Sequence, residues 1–182
     1  EAIGALVVKA FAVDVGGIVS NAYVLTHGKY ALMIDAVGAS REALLYIEQI
    51  GAKPVAHLIT HGHFDHTAGS DIIAQQFSDV STFYAGRDIT SDSVLPLSYF
   101  TVKAFKTPGH TEDSICYLVN DSIMFTGDTL FKASVGRPNY SMEELLQNIR
   151  EKIFIQNDSI VLAPGHGPLS TLLYERQFNP FF

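Results

Sequence analysis

The sequence contains few of the residues from which disulfides, membrane spans and nucleic-acid surfaces are built. Its single cysteine, Cys116, excludes a disulfide within the chain, and a structural zinc site would want more cysteines. No apolar stretch approaches the roughly 20 residues that span a bilayer, and the chain opens without the basic region of a secretory signal. Twelve Lys and Arg against 19 Asp and Glu give a net charge of -7, with no basic run to follow a phosphate backbone. We therefore predict a cytoplasmic protein whose partners include neither a membrane nor a nucleic acid.

The length and composition are those of one folded unit. The chain has 182 residues, of which 47% are hydrophobic and 17% charged, and no segment is repetitive or of low complexity. A chain of this length buries a full hydrophobic core. Strand and helix patterns alternate without a linker, so we predict a single α/β domain over residues 1–182.

Local patterns predict the first elements of that domain. Alternating residues rich in Val and Tyr indicate strands over 5–13 and 21–36, with the pair His27 and Gly28 as a hairpin turn. An amphipathic helix is predicted over 40–51, with Ser40 as its N-cap and Gly51 as its C-cap.

Two more helices are predicted further along the chain. They cover residues 67–77 and 141–154, and the second begins at Ser141 with Glu144 three residues on, the pattern of a capping box. Cys116 lies in an apolar strand pattern, which favours a small buried side chain over a reactive thiol.

Metal-binding side chains follow four predicted strands. Because the ends of neighbouring strands can meet at one edge of a sheet, we expect these side chains to converge there. The strand predicted over 54–60 leads to His61, His63, Asp65 and His66, and the strand over 99–109 leads to His110. The strand over 121–127 leads to Asp128, and the strand over 158–165 leads to His166.

The types and the number of these side chains predict a two-metal site. Imidazole and carboxylate without thiolate suit zinc, iron, manganese or nickel in an open, hydrolytic site. A catalytic zinc takes about three protein ligands, so seven candidates are enough for two ions that share a carboxylate. We predict two divalent ions, zinc first and iron or manganese as alternatives. His27 and His57 stand outside the pattern and are interpreted as ordinary surface or core residues.

These motifs carry a family resemblance. The stretch THGHFDH, residues 60–66, resembles the H-x-H-x-D-H signature of the metallo-β-lactamase superfamily, and PGHT, FTGDT and PGHG resemble its later motifs. FTGDTLF, the pair Gly136 and Arg137, and the closing PGHGPLSTLLYERQFNPFF resemble the glyoxalase II-like (hydroxyacylglutathione hydrolase-like) hydrolases in their short single-domain form.

The resemblance implies a fold and an assignment of the ligands. The fold is the αββα sandwich, two mixed sheets flanked by helices with the metals at one edge. By matching position, the first ion would be held by His61, His63 and His110, and the second by Asp65, His66 and His166, with Asp128 bridging them.

The same resemblance predicts thioester hydrolysis. Two ions lower the pKa of a shared water, so a metal-bridging hydroxide can attack a carbonyl and expel a thiolate. Asp65 and Asp128 are the predicted catalytic carboxylates, with Asp65 orienting the water. The expected substrate is S-lactoylglutathione or a related acyl-glutathione, and no further partner or oligomeric state is predicted.

The predicted substrate contacts are fewer than in full-length glyoxalase II. Those enzymes add a C-terminal helical domain that supplies cationic contacts to glutathione, and we predict no such domain here. The loop after Asp128 offers Lys132, Arg137 and Tyr140 for an anionic or amide-bearing thiol tail. For Arg137, a surface or helix-capping role is an equal alternative.

Other functions on this fold are open. One is a persulfide dioxygenase, in which one Fe(II) held by two His and an Asp activates oxygen; the complete second ligand set favours the hydrolase. Others are a lactonase-like or β-lactamase hydrolase, which matches the closing motif less well, and a binding protein without catalysis. A nuclease would need a basic groove.

Overall fold

A computed structural model describes residues 6–37 and 40–182 of the chain. Its first sheet has five strands in the order β1-β2-β3-β4-β5. The pairs β1 with β2 and β2 with β3 are antiparallel, whereas β3, β4 and β5 run parallel, so the sheet is mixed. The strands are β1 (Val7–Val15), β2 (Ile18–His27), β3 (Tyr30–Ile34), β4 (Lys53–Ile59) and β5 (Ser81–Tyr84).

The second sheet has six strands and is also mixed. Its order is β13-β12-β9-β8-β7-β6; β12 and β9 are parallel and the other pairs antiparallel. A short hairpin, β10 with β11, lies between β9 and β12 in the chain. The strands are β6 (Ser93–Leu95), β7 (Val102–Lys106), β8 (Ile115–Val119), β9 (Ile123–Gly127), β10 (Leu130–Phe131), β11 (Ser134–Val135), β12 (Val161–Pro164) and β13 (Ser170–Thr171).

Helices cover the outer face of each sheet. Ile47 and Ile73 pack with Met33 on the first sheet, and Leu145 and Ile149 pack on the second. Between the sheets lies a third cluster that includes Leu32, Leu58, Tyr117 and Phe125. The predicted αββα sandwich is thus confirmed. The helices are α1 (Ser40–Gln49), α2 (Phe64–Thr67), α3 (Ser70–Gln76), α4 (Met142–Asn148), which continues as a π-helical turn (Ile149–Ile153), and α5 (Leu172–Phe178).

Three local predictions hold as made. Gly51 ends α1 in the left-handed region with φ of 63°, and the amide of Ala52 reaches the Ile47 carbonyl at 3.1 Å. The Ser141 side chain accepts a hydrogen bond from the Glu144 amide at 3.2 Å. Cys116 is buried in β8, and burial raises the pKa of its thiol to about 11. The side chain of Ser40, the predicted N-cap of α1, lies outside the described residues.

Two local predictions are wrong in detail. The hairpin turn is Gly28 with Lys29, one residue later than predicted, because His27 still pairs with Tyr30 and Gly28 takes the positive φ of 58°. The predicted helix over 67–77 is broken into α2 and α3 at Gly69, whose amide leaves the helical pattern to bond the Ala36 carbonyl at 2.6 Å. Helical structure also begins earlier, at Phe64.

None of the helices among the described residues combines the length and the apolar character that crossing a membrane requires.

Candidate metal centre

The seven predicted metal ligands lie at one edge of the sandwich, where β4, β7, β9 and β12 end. A hydrogen bond from the Ile115 amide to the Thr60 carbonyl, 2.9 Å long, joins the two sheets at this edge. Within each of two groups, the candidate ligand atoms lie within 4.8 Å of one another. The first group is His61, His63, His110 and Asp128, and the second group is Asp65, His66 and His166.

In the first group, three imidazoles direct ring nitrogens to one point. Nδ1 of His63 lies 3.1 Å from Nε2 of His61 and 3.0 Å from Nε2 of His110. The outer nitrogens are bound by protein oxygens: Nδ1 of His110 donates to the Arg137 carbonyl at 2.7 Å, and Nδ1 of His61 lies 3.1 Å from the Thr60 hydroxyl. That hydroxyl gives its own hydrogen to Asp35, so it accepts from His61. Both Nε2 atoms therefore point a lone pair inward.

The second group is oriented in the same manner. Nδ1 of His66 donates to Oδ2 of Asp35 at 2.9 Å, and Nδ1 of His166 donates to the Val19 carbonyl at 2.8 Å. The Ser20 hydroxyl donates to Oδ2 of Asp65 at 2.7 Å. Fixing the outer nitrogen of a histidine by a protein acceptor is the usual support of a metal ligand.

Asp128 lies between the two groups. Its Oδ2 is 3.4 Å from Nε2 of His110 in the first group and 3.1 Å from Nε2 of His166 in the second. Its Oδ1 is 3.4 Å from Nε2 of His66. One carboxylate thus faces both groups of imidazoles.

The donor set fits metal cations. Nε2 of His66 and Oδ1 of Asp128 are buried and have no hydrogen-bond partner. Lone pairs of imidazole nitrogens also face each other and the carboxylates at 3.0 to 3.6 Å. Buried acceptors that converge without donors between them are costly unless a positive charge lies among them. Divalent ions of the type that bind imidazole and carboxylate would supply that charge.

The charges of the site are reflected in shifted pKa values. Burial lowers the pKa of His66, but the nearby carboxylate of Asp128 and the hydrogen bond to Asp35 outweigh it and raise that pKa to about 12. Burial raises the pKa of Asp128, but the hydrogen bond with His166 and the nearby imidazole of His66 hold it well below its usual range. Burial and the nearby His66 lower the pKa of His61 to about 4. In the absence of metal, the carboxylates therefore favour the protonated forms of His66 and His166 in the second group.

Two glycines allow the backbone to come close to the ligands. A Cβ on Gly165 would overlap Oδ1 of Asp128 and lie 2.7 Å from Cε1 of His66. A Cβ on Gly136 would overlap the carbonyl oxygen of Asp128. Neither Gly136 nor Gly165 can be replaced by a residue with a side chain unless the neighbouring ligand atoms move.

The structure does not bring the side chains of the predicted substrate residues onto the seven candidate ligands. Lys132 lies over the Tyr174 ring of α5, with Nζ 5.6 Å from its centroid. Arg137 and Tyr140 have exposed side chains, and it is the carbonyl of Arg137 that meets His110. Their role in substrate binding stays a prediction.

Sequence reasoning missed the residues that orient the ligands. Asp35 is 4% exposed and accepts hydrogen bonds from the Thr60 amide at 2.8 Å and from His66. Asp35 follows an apolar strand, as the predicted ligands do, and that signal could have found it. His57 is buried 3.3 Å from the Asp35 carbonyl and belongs to neither group.

Comparison with known proteins identifies relatives of this chain. The family profile of the Metallo-beta-lactamase superfamily matches residues 15–82. The chain is 29% identical to the probable metallo-hydrolase YqgX of Bacillus subtilis over 92% of its length and 94% of that protein. It is 30% identical to the uncharacterized protein Rv2581c of Mycobacterium tuberculosis, covering 91% of the chain and 94% of that protein.

Two relatives have names that state an activity. The hydroxyacylglutathione hydrolase GloC of Haemophilus influenzae is 28% identical over 84% of the chain and 87% of its own length. The mitochondrial persulfide dioxygenase ETHE1 of Mus musculus is 29% identical over 82% of the chain and 65% of its own length. Among solved structures, BLEG-1 B3 metallo-beta-lactamase superposes with a TM-score of 0.87 and 28% identity, over 95% of this chain and 99% of that one.

Proposed function

Because the chain belongs to the metallo-β-lactamase superfamily, we propose that it is a dinuclear metal-dependent hydrolase that cleaves a thioester. The proposed substrate is S-lactoylglutathione or a related acyl-glutathione. The superfamily itself includes several reactions, so the proposal depends on the site rather than on the fold.

The position of Asp128 is the observation that carries the two-metal proposal. Its carboxylate lies 3.1 Å from His166 of the second group and 3.4 Å from His110 of the first. A mononuclear centre would use the first group and leave Asp65, His66 and His166, of which only His66 is fully buried, as a second cluster without a metal ion. The support that Asp35 and Val19 give to His66 and His166 is accounted for when the second group also binds a cation.

Divalent ions held by the two groups would lower the pKa of water and polarise a substrate carbonyl. The chain's own residues would place the reactants. The nearby imidazole of His66, whose Nε2 lies 3.3 Å from Oδ2 of Asp65, and a hydrogen bond from Ser20 hold the pKa of Asp65 well below the usual range. Asp65 therefore stays an acceptor at neutral pH and can orient a nucleophilic water.

The thioester is proposed from the relatives and from the chemistry together. A thiolate is a good leaving group, so its departure needs no proton donor in addition to the metal centre. The relative named as a hydroxyacylglutathione hydrolase matches 84% of this chain. The carbonyl of Arg137 accepts from His110, so its backbone lies beside the first group, and its guanidinium would pair with a carboxylate of the thiol tail.

The test combines metal analysis with a substrate panel. The panel contains S-lactoylglutathione, another acyl-glutathione, a lactone, a β-lactam and glutathione persulfide with oxygen uptake as readout. Asp128→Ala is compared with Asp79→Ala, a change to an exposed aspartate in a turn outside the site.

We expect two metal ions per wild-type chain and thioester hydrolysis as the fastest reaction. Asp128→Ala should bind fewer ions and lose at least about 100-fold in rate, because the metal contribution is worth several kcal/mol. Asp79→Ala should match the wild type. One iron per chain with oxygen uptake would instead establish the dioxygenase, and an unchanged thioesterase rate in Asp128→Ala would exclude the two-metal mechanism.

A further inference from the structure

The closing stretch LYERQFNPFF carries much of the family resemblance but supplies none of the seven candidate ligands. It contains two polar side chains, Glu175 on α5 and Asn179 just after it, that are 0% and 4% exposed. Buried polar groups of this kind are retained where their hydrogen bonds hold something in place. Their partners show what these two residues hold.

Glu175 and Asn179 bind the turn of the β10–β11 hairpin. Oε2 of Glu175 accepts hydrogen bonds from the Ala133 amide at 2.9 Å and from Nδ2 of Asn179 at 2.8 Å. Nδ2 of Asn179 also donates to the Ser134 carbonyl at 3.1 Å. The other oxygen of Glu175 accepts from the Ser170 hydroxyl, which makes no hydrogen bond to the described residues of the hairpin. Ala133 has a φ of 55°, a conformation that costs energy for alanine and that these bonds help to maintain.

The far end of the hairpin reaches the metal centre. The hairpin begins two residues after Asp128 and returns at Gly136, whose backbone packs against the Asp128 carbonyl so closely that a Cβ would overlap it. The next residue, Arg137, accepts the Nδ1 hydrogen of His110 at 2.7 Å. One short segment, 130–137, therefore links α5 to the orientation of a candidate ligand.

We propose that Glu175 and Asn179 are positioning residues that hold the Arg137 carbonyl in place and thereby orient His110 for metal binding in the first group. The proposal rests on the metal site of the proposed function and not on its thioester substrate. Loss of a group that orients a ligand typically weakens metal binding by about 10- to 100-fold. An effect of about 10-fold is expected here, because the two residues act on His110 through the hairpin.

Asn179→Ala tests this proposal, with Ser170→Ala as its matched control. Each change removes one buried partner of the Glu175 carboxylate, but only Asn179 bonds the hairpin. Zinc affinity of the metal-free proteins is measured by competition with a chelator, and circular dichroism and thermal unfolding report the fold. We expect both variants to lose stability and only Asn179→Ala to bind one of its two zinc ions about 10-fold more weakly.

A second comparison shows whether the effect passes through His110. In a His110→Ala background, Asn179→Ala should cause no further loss of zinc affinity, since coupled changes are not additive. If Asn179→Ala does not fold, Asn179→Ser takes its place; it keeps a polar group but is too short to reach the Ser134 carbonyl.

Three results would overturn the inference: unchanged zinc affinity in the Asn179 variant, an equal loss in Ser170→Ala, or additive losses with His110→Ala. Because zinc affinity is measured without substrate, these results stay interpretable if the thioester proposal fails.

Discussion

The imidazole of His66 and the carboxylate of Asp35 form a buried hydrogen bond of 2.9 Å, although 31 positions separate them in the chain. Asp35 takes a φ of 56° at the end of β3, which places its carboxylate under the loop that follows β4. The same carboxylate accepts from the amide and the hydroxyl of Thr60, which in turn orients His61. One residue therefore supports a ligand in each of the two groups.

Replacing Asp35 with asparagine should weaken metal binding. Asparagine tolerates the positive φ, but its amide nitrogen would face either the Nδ1 hydrogen of His66 or the Thr60 donors. We expect zinc affinity to fall by about 10- to 100-fold, as for other groups that orient ligands. Chelator competition measures the change, with Asp79→Asn as an exposed control. Wild-type affinity in Asp35→Asn would show that His66 does not need this acceptor.

The shifted pKa of His66 predicts how the stability of the metal-free protein depends on pH. Its pKa rises from 6.5 to about 12 on folding, so the folded state holds a proton that the unfolded state releases above pH 6.5. The stabilisation of the folded state by His66 is complete below pH 6.5 and decreases as the pH rises from 6.5 toward about 12. A single group of this kind changes the free energy of unfolding by up to about 1.4 kcal/mol per pH unit. The pKa of His166 is also raised, and it acts in the same direction.

Urea unfolding of metal-free protein at pH 6.5 and 8.5 measures this dependence. Stability should be lower at pH 8.5, and His66→Gln should show a flatter profile. Below pH 6.5 stability should instead fall as the pH falls. Burial lowers the pKa of His57 to about 4, so between pH 6.5 and 4 the unfolded state takes up a proton on His57 that the folded state does not. A metal-free wild type whose stability is the same at both pH values would contradict the charge state assigned to His66.

The sequence could predict features whose parts lie close together in the chain, and it could not predict contacts between distant residues. The seven candidate ligands each lie within about seven residues after the end of an apolar strand, so strand and ligand are read from one short window. The supporting contacts are not local. The carbonyls of Val19 and Arg137 accept from His166 and His110 across 147 and 27 positions, and a backbone carbonyl has no residue type to signal it.

Lys132 shows what the sequence could not predict about the loop after Asp128. It lies four positions after Asp128, in the loop that is predicted to contact the substrate. In the structure it lies at the β10–β11 turn with Nζ 5.6 Å from the centroid of the Tyr174 ring on α5, and its contact with substrate stays a prediction. The hairpin was not predicted because its strands have only two residues each, too few for an alternating pattern to be detected.

The cap of α4 gives a prediction for stability alone. The Ser141 hydroxyl accepts from the Glu144 amide, so Ser141→Ala leaves that donor without its partner and should cost about 1 kcal/mol of unfolding free energy. Ser141→Asp keeps an acceptor and should remain close to the wild type. Urea unfolding measures both variants. Equal losses in the two would mean that the backbone around Ser141 matters and its side chain does not.

Gly165 gives the sharpest test of how tightly the centre is built. A Cβ there would meet Oδ1 of Asp128 and Cε1 of His66, two side chains that each have a buried atom without a hydrogen-bond partner. Gly165→Ala should therefore push apart the Asp128 carboxylate, which faces both groups, and the imidazole of His66 in the second group, and reduce zinc affinity by more than about 10-fold. Gly167→Ala is the control, because its Cβ would meet nothing within 4 Å while its φ of 74° still imposes strain.

The control separates strain from crowding. Gly167→Ala should lower the melting temperature, since a non-glycine residue in that region costs about 1 kcal/mol or more, and yet bind two zinc ions as the wild type does. Gly165→Ala should lose zinc even where its apo form keeps a wild-type circular dichroism spectrum. If both variants retain full zinc stoichiometry and affinity, the space between Asp128 and His66 can widen without cost, and the close approach of the backbone is not part of what makes this edge a metal centre.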